Sequence, residues 1–236
     1  MLPAMRILPT DGYVQVVIEE GVPVVETSGS SPEKYMDTFK KANVKVMHKA
    51  GAVRHARTAE RIGCDAVIAL GFEAAGHPLM DDVTLWNLIP RMVDALTIPV
   101  IAAGGTSDPR QIVAALALGA EGVMMGTRFM VTRESVAHKN IKQALIKATE
   151  ADTVMIQRSI KNQTRVYRNK AAEQVLEMEA RGASLEELLT VISGERGRNA
   201  IFTGDIDGGT MTCGQGIGLI QSAPTVKEVI DSLVTG

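Results

Sequence analysis

Two short apolar runs that each end in glycine constrain the fold of this chain more than any other feature. Pro99–Ala103 is followed by Gly104–Gly105, and Gly122–Met125 is followed by Gly126–Thr127. Asp108 and Pro109 then mark the start of a helix between the two runs. Parallel strands that end side by side in glycine expose backbone N–H groups, which can bind a phosphate. The pattern predicts a phosphate-bearing ligand, a cofactor, at the carboxyl end of a parallel barrel.

The order of the predicted elements indicates an α/β protein. Apolar runs rich in β-branched residues alternate with helical patterns, as in sheets whose strands are buried on both faces. The predicted strands are Val22–Glu26, Lys45–His48, Ala66–Leu70, Pro99–Ala103 and Gly122–Met125, with Arg6–Leu8 as a sixth candidate. A TIM-type (β/α)8 barrel needs eight strands. Either the first two βα units are lacking from this chain, or its sheet is not a closed barrel.

The chain divides into three predicted parts. Residues 1–150 form the barrel domain, with strands three to eight of the eight-strand pattern. Residues 151–223 are an excursion or lid-like segment, which includes a helix near Leu185–Ile192 and a glycine-rich loop or lid at Asp205–Gly218. Residues 224–236 form a C-terminal helix that packs back on the barrel. The fold class is therefore a TIM-type barrel with a helical C-terminal extension.

Composition restricts the partners that we expect. The 236 residues carry a formal net charge of −2, which gives no reason to predict nucleic acid or an anionic membrane as a partner. No apolar run approaches the ~20 residues that a transmembrane helix needs. The N-terminus has no secretion-signal pattern, and Cys64 and Cys213 do not have a metal-binding spacing. These features predict a cytoplasmic protein with two reduced cysteines.

A second predicted site follows the strand Ala66–Leu70. In the loop Gly71–Pro78 the glycines let the backbone approach a flat ligand, and His77 can exchange a proton near neutral pH. The alternative is that His77 only fixes the loop by hydrogen bonding. A metal site would have to use Glu73, His77, Asp81 and Asp82, whose spacing fits no standard pattern, so no metal is predicted.

Several motifs in the same order resemble the FMN-dependent nitronate monooxygenase (2-nitropropane dioxygenase) family. They are Gly71–His77, Ala103–Gly105, Met125–Phe129, the pair His48–Lys49, and Cys213–Ile220 with its Gly-Gln-x-x-Gly spacing. The resemblance covers nearly the whole chain. It departs from the family at Leu70, where relatives carry a polar group, and in the family's first two strands, which have no counterpart here.

The resemblance implies that FMN lies across the barrel mouth. In this family a histidine that matches His77 acts as a base or an electrostatic partner beside the flavin, and Lys49 would place positive charge near the flavin N1–O2 edge. The implied cofactor-binding residues are Lys49, Ala75, Gly76, Ala103, Gly104, Gly105, Met125, Gly126 and Thr127.

The implied reaction is the oxidation of an alkyl nitronate by oxygen, which yields a carbonyl compound and nitrite. Alternatives on the same scaffold are an NAD(P)H:quinone reductase and a flavin-dependent enoyl-acyl-carrier-protein reductase. A truncated barrel without catalysis is a further alternative, as is an unrelated phosphate-binding barrel. An unpaired sheet edge would also favour association, so we expect a homodimer.

Overall fold

The structure is a computed structural model in which residues 10–235 are described. Its strands are β1 (Val24–Thr27), β2 (Lys45–Ala50), β3 (Ala66–Leu70), β4 (Val100–Ala103), β5 (Gly122–Met124), β6 (Thr153–Ile156) and β7 (Thr164–Tyr167). Its α-helices are α1 (Thr10–Glu19), α2 (Glu33–Lys41), α3 (Val53–Arg61), α4 (Leu85–Val93), α5 (Pro109–Ala117), α6 (Thr127–Met130), α7 (Lys139–Lys147), α8 (Lys170–Ala180), α9 (Leu185–Ile192), α10 (Gly194–Thr203) and α11 (Val226–Thr235).

The first five strands form one parallel sheet in sequence order, which curls into a half-barrel. They match the five strands that the apolar runs predict. The sixth candidate, Arg6–Leu8, lies outside the described residues. Within residues 10–235, β1 and β5 each pair with one neighbour, so both outer edges of this sheet lack a further strand. Whether the first two βα units of a complete barrel are lacking stays a prediction.

Helices on the outer face of the sheet form the main hydrophobic core with it. In β3, both faces are buried, which explains why its sequence is apolar without alternation. Helix α4 presents an apolar stripe, because Leu88, Ile89 and Met92 are all buried against the sheet. The strands therefore hold their carboxyl ends, and the loops after them, in fixed register.

The part of the chain after the sheet has its own packed elements. Strands β6 and β7 pair antiparallel, within the excursion that the sequence predicts for residues 151–223. Val166 packs there in a second core cluster with Val175 of α8 and Leu188 of α9. Helix α11 lies against α5. The division of the chain at residues 150 and 223 stays a prediction.

The glycine-rich segment differs from the expected loop or lid in its second half. Residues Gln215–Leu219 form a short 3-10 helix, η1. Cys213, Ile217 and Ile220 are fully buried, in a cluster that includes Leu145 of α7. Sequence reasoning missed this packing because the segment lacks helical periodicity. Among the described residues, no helix has the length and apolar character that a bilayer span requires.

Candidate functional site

A cavity of about 400 Å³ lies at the carboxyl ends of the parallel strands. All the predicted cofactor-binding residues except Gly76 line it, namely Lys49, Ala75, Ala103, Gly104, Gly105, Met125, Gly126 and Thr127. Further lining residues were not predicted, among them Glu26, Thr106, Ser107, Gly214 and Gly216. The carboxyl-terminal parts of β1 and β2 and the loops after β3, β4 and β5 thus meet at one site, as such segments do in a barrel enzyme.

The end of β5 offers unpaired backbone donors to this cavity. Gly126 caps α6, and a Cβ added at this glycine would meet no atom within 4 Å. The N–H groups of Thr127 and Arg128 belong to the first turn of α6, where a helix has no internal acceptor. The Thr127 hydroxyl oxygen accepts a hydrogen bond from the N–H of Gly214 at 3.1 Å. This turn can therefore donate hydrogen bonds to an anion without displacing a side chain.

The glycines after β4 also have a structural role that the sequence does not reveal. Gly104 and Gly105 have φ angles of +119° and +72°. A Cβ at Gly104 would lie 2.9 Å from the Cβ of Ala74, and one at Gly105 would lie 2.9 Å from the Cβ of Glu73. Both glycines line the cavity, but the space left by their missing side chains is filled by the loop after β3 rather than left open for a ligand.

A charged pair crosses the cavity wall between β1 and β2. The Lys49 ammonium lies 2.7 Å from a carboxylate oxygen of Glu26, and their side chains are 24% and 33% exposed. The preceding residue, His48, points the other way, as strand alternation predicts. Its Nδ1 lies 2.8 Å from the Thr27 hydroxyl, and burial, followed by the nearby charge of His55, lowers the pKa of His48. The sequence signal for Glu26 was an acidic residue at the carboxyl end of a predicted strand.

His77 lies beside the cavity rather than in its wall. Its ring is exposed, and its Nδ1 is 2.8 Å from the hydroxyl oxygen of Thr164 and 3.2 Å from the carbonyl oxygen of Gln163. The neighbouring Gly76 also pairs with β7, because its N–H donates to the carbonyl of Arg165 at 3.1 Å and its carbonyl accepts from the N–H of Arg165 at 2.6 Å. The structure thus places Gly76 and His77 against β7 and its approach, next to Ala75 but outside the lining of the cavity.

A buried arginine holds the loop after β3 in place. Arg165 donates from Nε and Nη2 to the carbonyl oxygen of Phe72, at 3.1 and 2.9 Å, and from Nη1 to the hydroxyl of Thr153 at 3.0 Å. Its guanidinium also lies 4.4 Å from the centre of the Phe72 ring. Burial lowers the pKa of Arg165. Sequence reasoning did not assign this role, because Arg165 and Phe72 are far apart in the chain.

The carboxylates of the rejected metal alternative each have a separate partner. Glu73 accepts from the N–H of Leu85 at the start of α4, at 3.1 and 3.2 Å. Asp81 pairs with Arg54, and Asp82 pairs with Arg158, both at 2.9 Å. Across residues 10–235, no group of three or more acidic, histidine or cysteine side chains is arranged to hold a metal ion.

The segment before and within η1 closes one side of the cavity. Gln215 donates its N–H to the carbonyl of Glu73 at 3.0 Å. A Cβ at Gly216 would collide with the carbonyl oxygen of Gly105, and one at Gly214 would lie 3.1 Å from the carbonyl oxygen of Glu73. The glycines of this segment allow backbone-to-backbone contact with the loops after β3 and β4, which accounts for their spacing.

Fold and cavity together define a barrel-type α/β protein whose ligand site is built from the loops at the carboxyl ends of parallel strands. The chain belongs to the nitronate monooxygenase family, whose model matches residues 5–236. This is a family of flavin-dependent oxidoreductases, so the class of protein that the sequence motifs indicated is confirmed.

Individual relatives agree with this membership. A probable nitronate monooxygenase of Staphylococcus aureus (strain N315) is 35% identical over 179 residues, which is 71% of this chain and 50% of the relative. This chain thus spans half the length of the curated relatives that it matches.

Solved structures confirm the TIM-type fold. FabK from Thermotoga maritima is 39% identical, with a TM-score of 0.88 over 97% of this chain and 72% of that chain. A nitroalkane oxidase from Streptomyces ansochromogenes is 27% identical, with a TM-score of 0.80 over 95% of this chain and 67% of that chain.

Proposed function

We propose that this chain binds FMN in the 400 Å³ cavity and takes part in the oxidation of alkyl nitronates by oxygen to a carbonyl compound and nitrite. The observation that carries the proposal is the convergence of eight motif residues on one cavity, although they come from four separate segments of the chain. Family membership and the nitroalkane oxidase among the similar structures support the substrate class.

The groups in the cavity wall fit the chemistry of FMN. Its phosphate needs hydrogen-bond donors, which the first turn of α6 supplies. Its ring system needs positive charge where reduction develops negative charge, which Lys49 supplies. Its flat ring system needs a wall of small side chains, which Ala75, Ala103 and Gly126 provide. We assign the phosphate to Gly104, Gly105, Gly126 and Thr127, and the flavin edge to Lys49.

Bound FMN would supply an electron acceptor for the nitronate and a donor to oxygen. The residues of this chain would bind and orient the reactants. Lys49 places a positive charge where reduction develops negative charge, and Glu26 moderates that charge from 2.7 Å away. His77 presents an exposed imidazole beside the cavity, where it can hold or accept a proton.

The visible absorption spectrum of the purified protein, before and after addition of FMN, tests this proposal. An oxidised-flavin spectrum that is bleached anaerobically by a nitronate supports it. Bleaching by NAD(P)H without turnover of the nitronate would instead identify a quinone or enoyl-acyl-carrier-protein reductase. If no flavin binds at excess FMN, the chain as it stands is a barrel fragment without catalysis.

A matched pair of variants shows whether any bound flavin lies in this cavity. Lys49→Met removes the positive charge within the cavity and is expected to weaken FMN binding about tenfold, or ~1.4 kcal/mol. Lys45→Met removes a lysine of the same strand whose side chain is 64% exposed and pairs with Asp65 outside the cavity. Equal effects of the two substitutions would place the flavin elsewhere.

The remaining proposals concern the surroundings of the enzyme. We place it in the cytoplasm, with a small-molecule substrate and oxygen as its reactants, and we propose a homodimer. We also retain the division into a barrel domain (1–150), an excursion (151–223) and a C-terminal helix (224–236) as a proposal.

A further inference from the structure

One proton arrangement satisfies the two shorter contacts of the His77 ring, which are both made by Nδ1, while Nε2 lies 3.5 Å from the Thr164 hydroxyl oxygen. The carbonyl oxygen of Gln163, 3.2 Å from Nδ1, can only accept a hydrogen bond. The hydroxyl of Thr164 lies 2.8 Å from the same nitrogen and also 3.2 Å from the carbonyl oxygen of Asn162, to which it can donate. If Nδ1 carries the proton, it donates to both oxygens, and the hydroxyl proton goes to Asn162.

The opposite arrangement leaves an unfavourable contact. If Nδ1 carried a lone pair, the Thr164 hydroxyl would have to donate to it and would lose its bond to Asn162. The Gln163 carbonyl would then face the lone pair of Nδ1 at 3.2 Å. Two electron-rich atoms at that distance repel each other, so this tautomer is the less stable one.

We propose that Thr164 is a positioning residue that, with the Gln163 carbonyl, fixes His77 as the Nδ1–H tautomer and leaves Nε2 as the basic nitrogen. Its consequence for catalysis rests on the proposed function. A proton taken from a reactant would go to Nε2, and the resulting imidazolium would keep its Nδ1–H bonds to both oxygens. The positive charge would thus form without any rearrangement of the ring.

The position of Thr164 is itself fixed by the fold. It begins β7, is 4% exposed, and pairs with Ile156 of β6. The following residue, Arg165, anchors the loop that carries His77 through its bonds to the carbonyl of Phe72 and the backbone of Gly76. The antiparallel strands thus supply the orienting group, and the loop after β3 supplies the histidine.

Nitrogen-15 NMR of the protein labelled at histidine tests the proposal without any flavin. The chain has four histidines, so a His77→Asn variant assigns the His77 signals. At about pH 8, well above the ordinary histidine pKa of about 6.5, we expect Nδ1 to be the protonated nitrogen. Protonation at Nε2 in the wild-type protein would overturn the proposal.

Substitutions at Thr164 separate the effect of its hydroxyl on the His77 tautomer from the effect of the Gln163 carbonyl. Thr164→Val keeps the shape of the side chain and is expected to shift the tautomer ratio roughly fivefold towards Nε2–H, which corresponds to the loss of one hydrogen bond. Thr164→Ser should restore the wild-type ratio. A ratio that is the same in all three proteins would overturn the role of Thr164. If Thr164→Val folds poorly, Thr164→Ala also removes the hydroxyl, and a wild-type tautomer ratio in that variant would overturn the role as well.

The chain contains a matched control for this measurement. The Nδ1 of His48, on β2, lies 2.8 Å from the hydroxyl of Thr27, on the neighbouring strand β1. Thr27→Val should change the His48 signals and leave those of His77 unchanged.

Since none of these spectra depends on nitronate turnover, failure of the proposed activity would leave the tautomer result intact. A change in flavin reduction by Thr164→Val with an unchanged tautomer would count against the positioning role.

Discussion

The glycines that line the cavity have two different roles, which substitutions by alanine would separate. Gly126 has a φ of −113° and open space at its Cβ position. Gly126→Ala should change the free energy of unfolding by less than about 0.5 kcal/mol and weaken FMN binding about tenfold. Gly104 has a φ of +119°, and a Cβ at this position would lie 2.9 Å from the Cβ of Ala74. Gly104→Ala should therefore lower the free energy of unfolding by about 2 kcal/mol or more.

Urea unfolding of the flavin-depleted protein and flavin titration by fluorescence measure the two effects independently. A Gly126→Ala variant that is destabilised as much as Gly104→Ala would show that the space at Gly126 has a structural rather than a binding role.

Glu26 and Lys49 should affect anion binding in opposite directions. Because Glu26 lies 2.7 Å from Lys49 inside the cavity wall, its carboxylate offsets part of the lysine charge. Glu26→Gln removes that offset and is expected to raise the affinity for FMN roughly fivefold. Riboflavin, which has no phosphate, should gain less, and added salt should reduce the difference. Isothermal titration with both ligands gives the comparison, and weaker binding of FMN by Glu26→Gln would contradict it.

The pairing of β7 with the loop after β3 depends on one buried side chain. Arg165→Met would fill similar space but leave the carbonyl of Phe72 without its two donors, at a cost of roughly 2–4 kcal/mol. Arg165→Lys should restore part of that loss, because an ammonium cannot form the same forked bond. Chemical unfolding of both variants measures the difference. Equal stability of the two variants and the wild type would show that the loop is held by other contacts.

How far sequence could predict these elements depended on whether their interactions were local. Strands β1 to β5 were identified because burial on both faces requires continuous apolar runs. Eight of the nine predicted cofactor-binding residues line one cavity because they lie at the ends of those strands or in the loops after them. Helix α10 was missed, since Gly194–Thr203 has no apolar stripe and is defined by its Ser193 cap and by Gly204 at a φ of +80°. The contacts of Thr164 with His77 join distant parts of the chain, which no local pattern records.

Packing across the whole molecule also determines the reactivity of its two thiols. Burial raises the pKa of Cys213 to about 12 and that of Cys64 to about 11. Both should therefore be protonated and inaccessible at about pH 8 in the folded protein. We expect a disulfide reagent to modify neither thiol in the native state and both after unfolding. Rapid reaction of one thiol in the native protein would show that the segment around it opens in solution.

The sheet predicts how the molecule associates. Within the part of the chain that is described, β1 and β5 each leave one edge without a strand partner, and Val24 on β1 is 44% exposed. Since an open, partly apolar edge favours pairing, light scattering should give a mass near twice the 25.2 kDa of one chain. Val24→Lys should shift the protein towards the monomer, whereas Val234→Lys, at an 80% exposed position on α11, should not. A monomeric mass at every concentration would contradict the predicted association through this edge, because open edges can also be kept apart by charge, twist or short strand length.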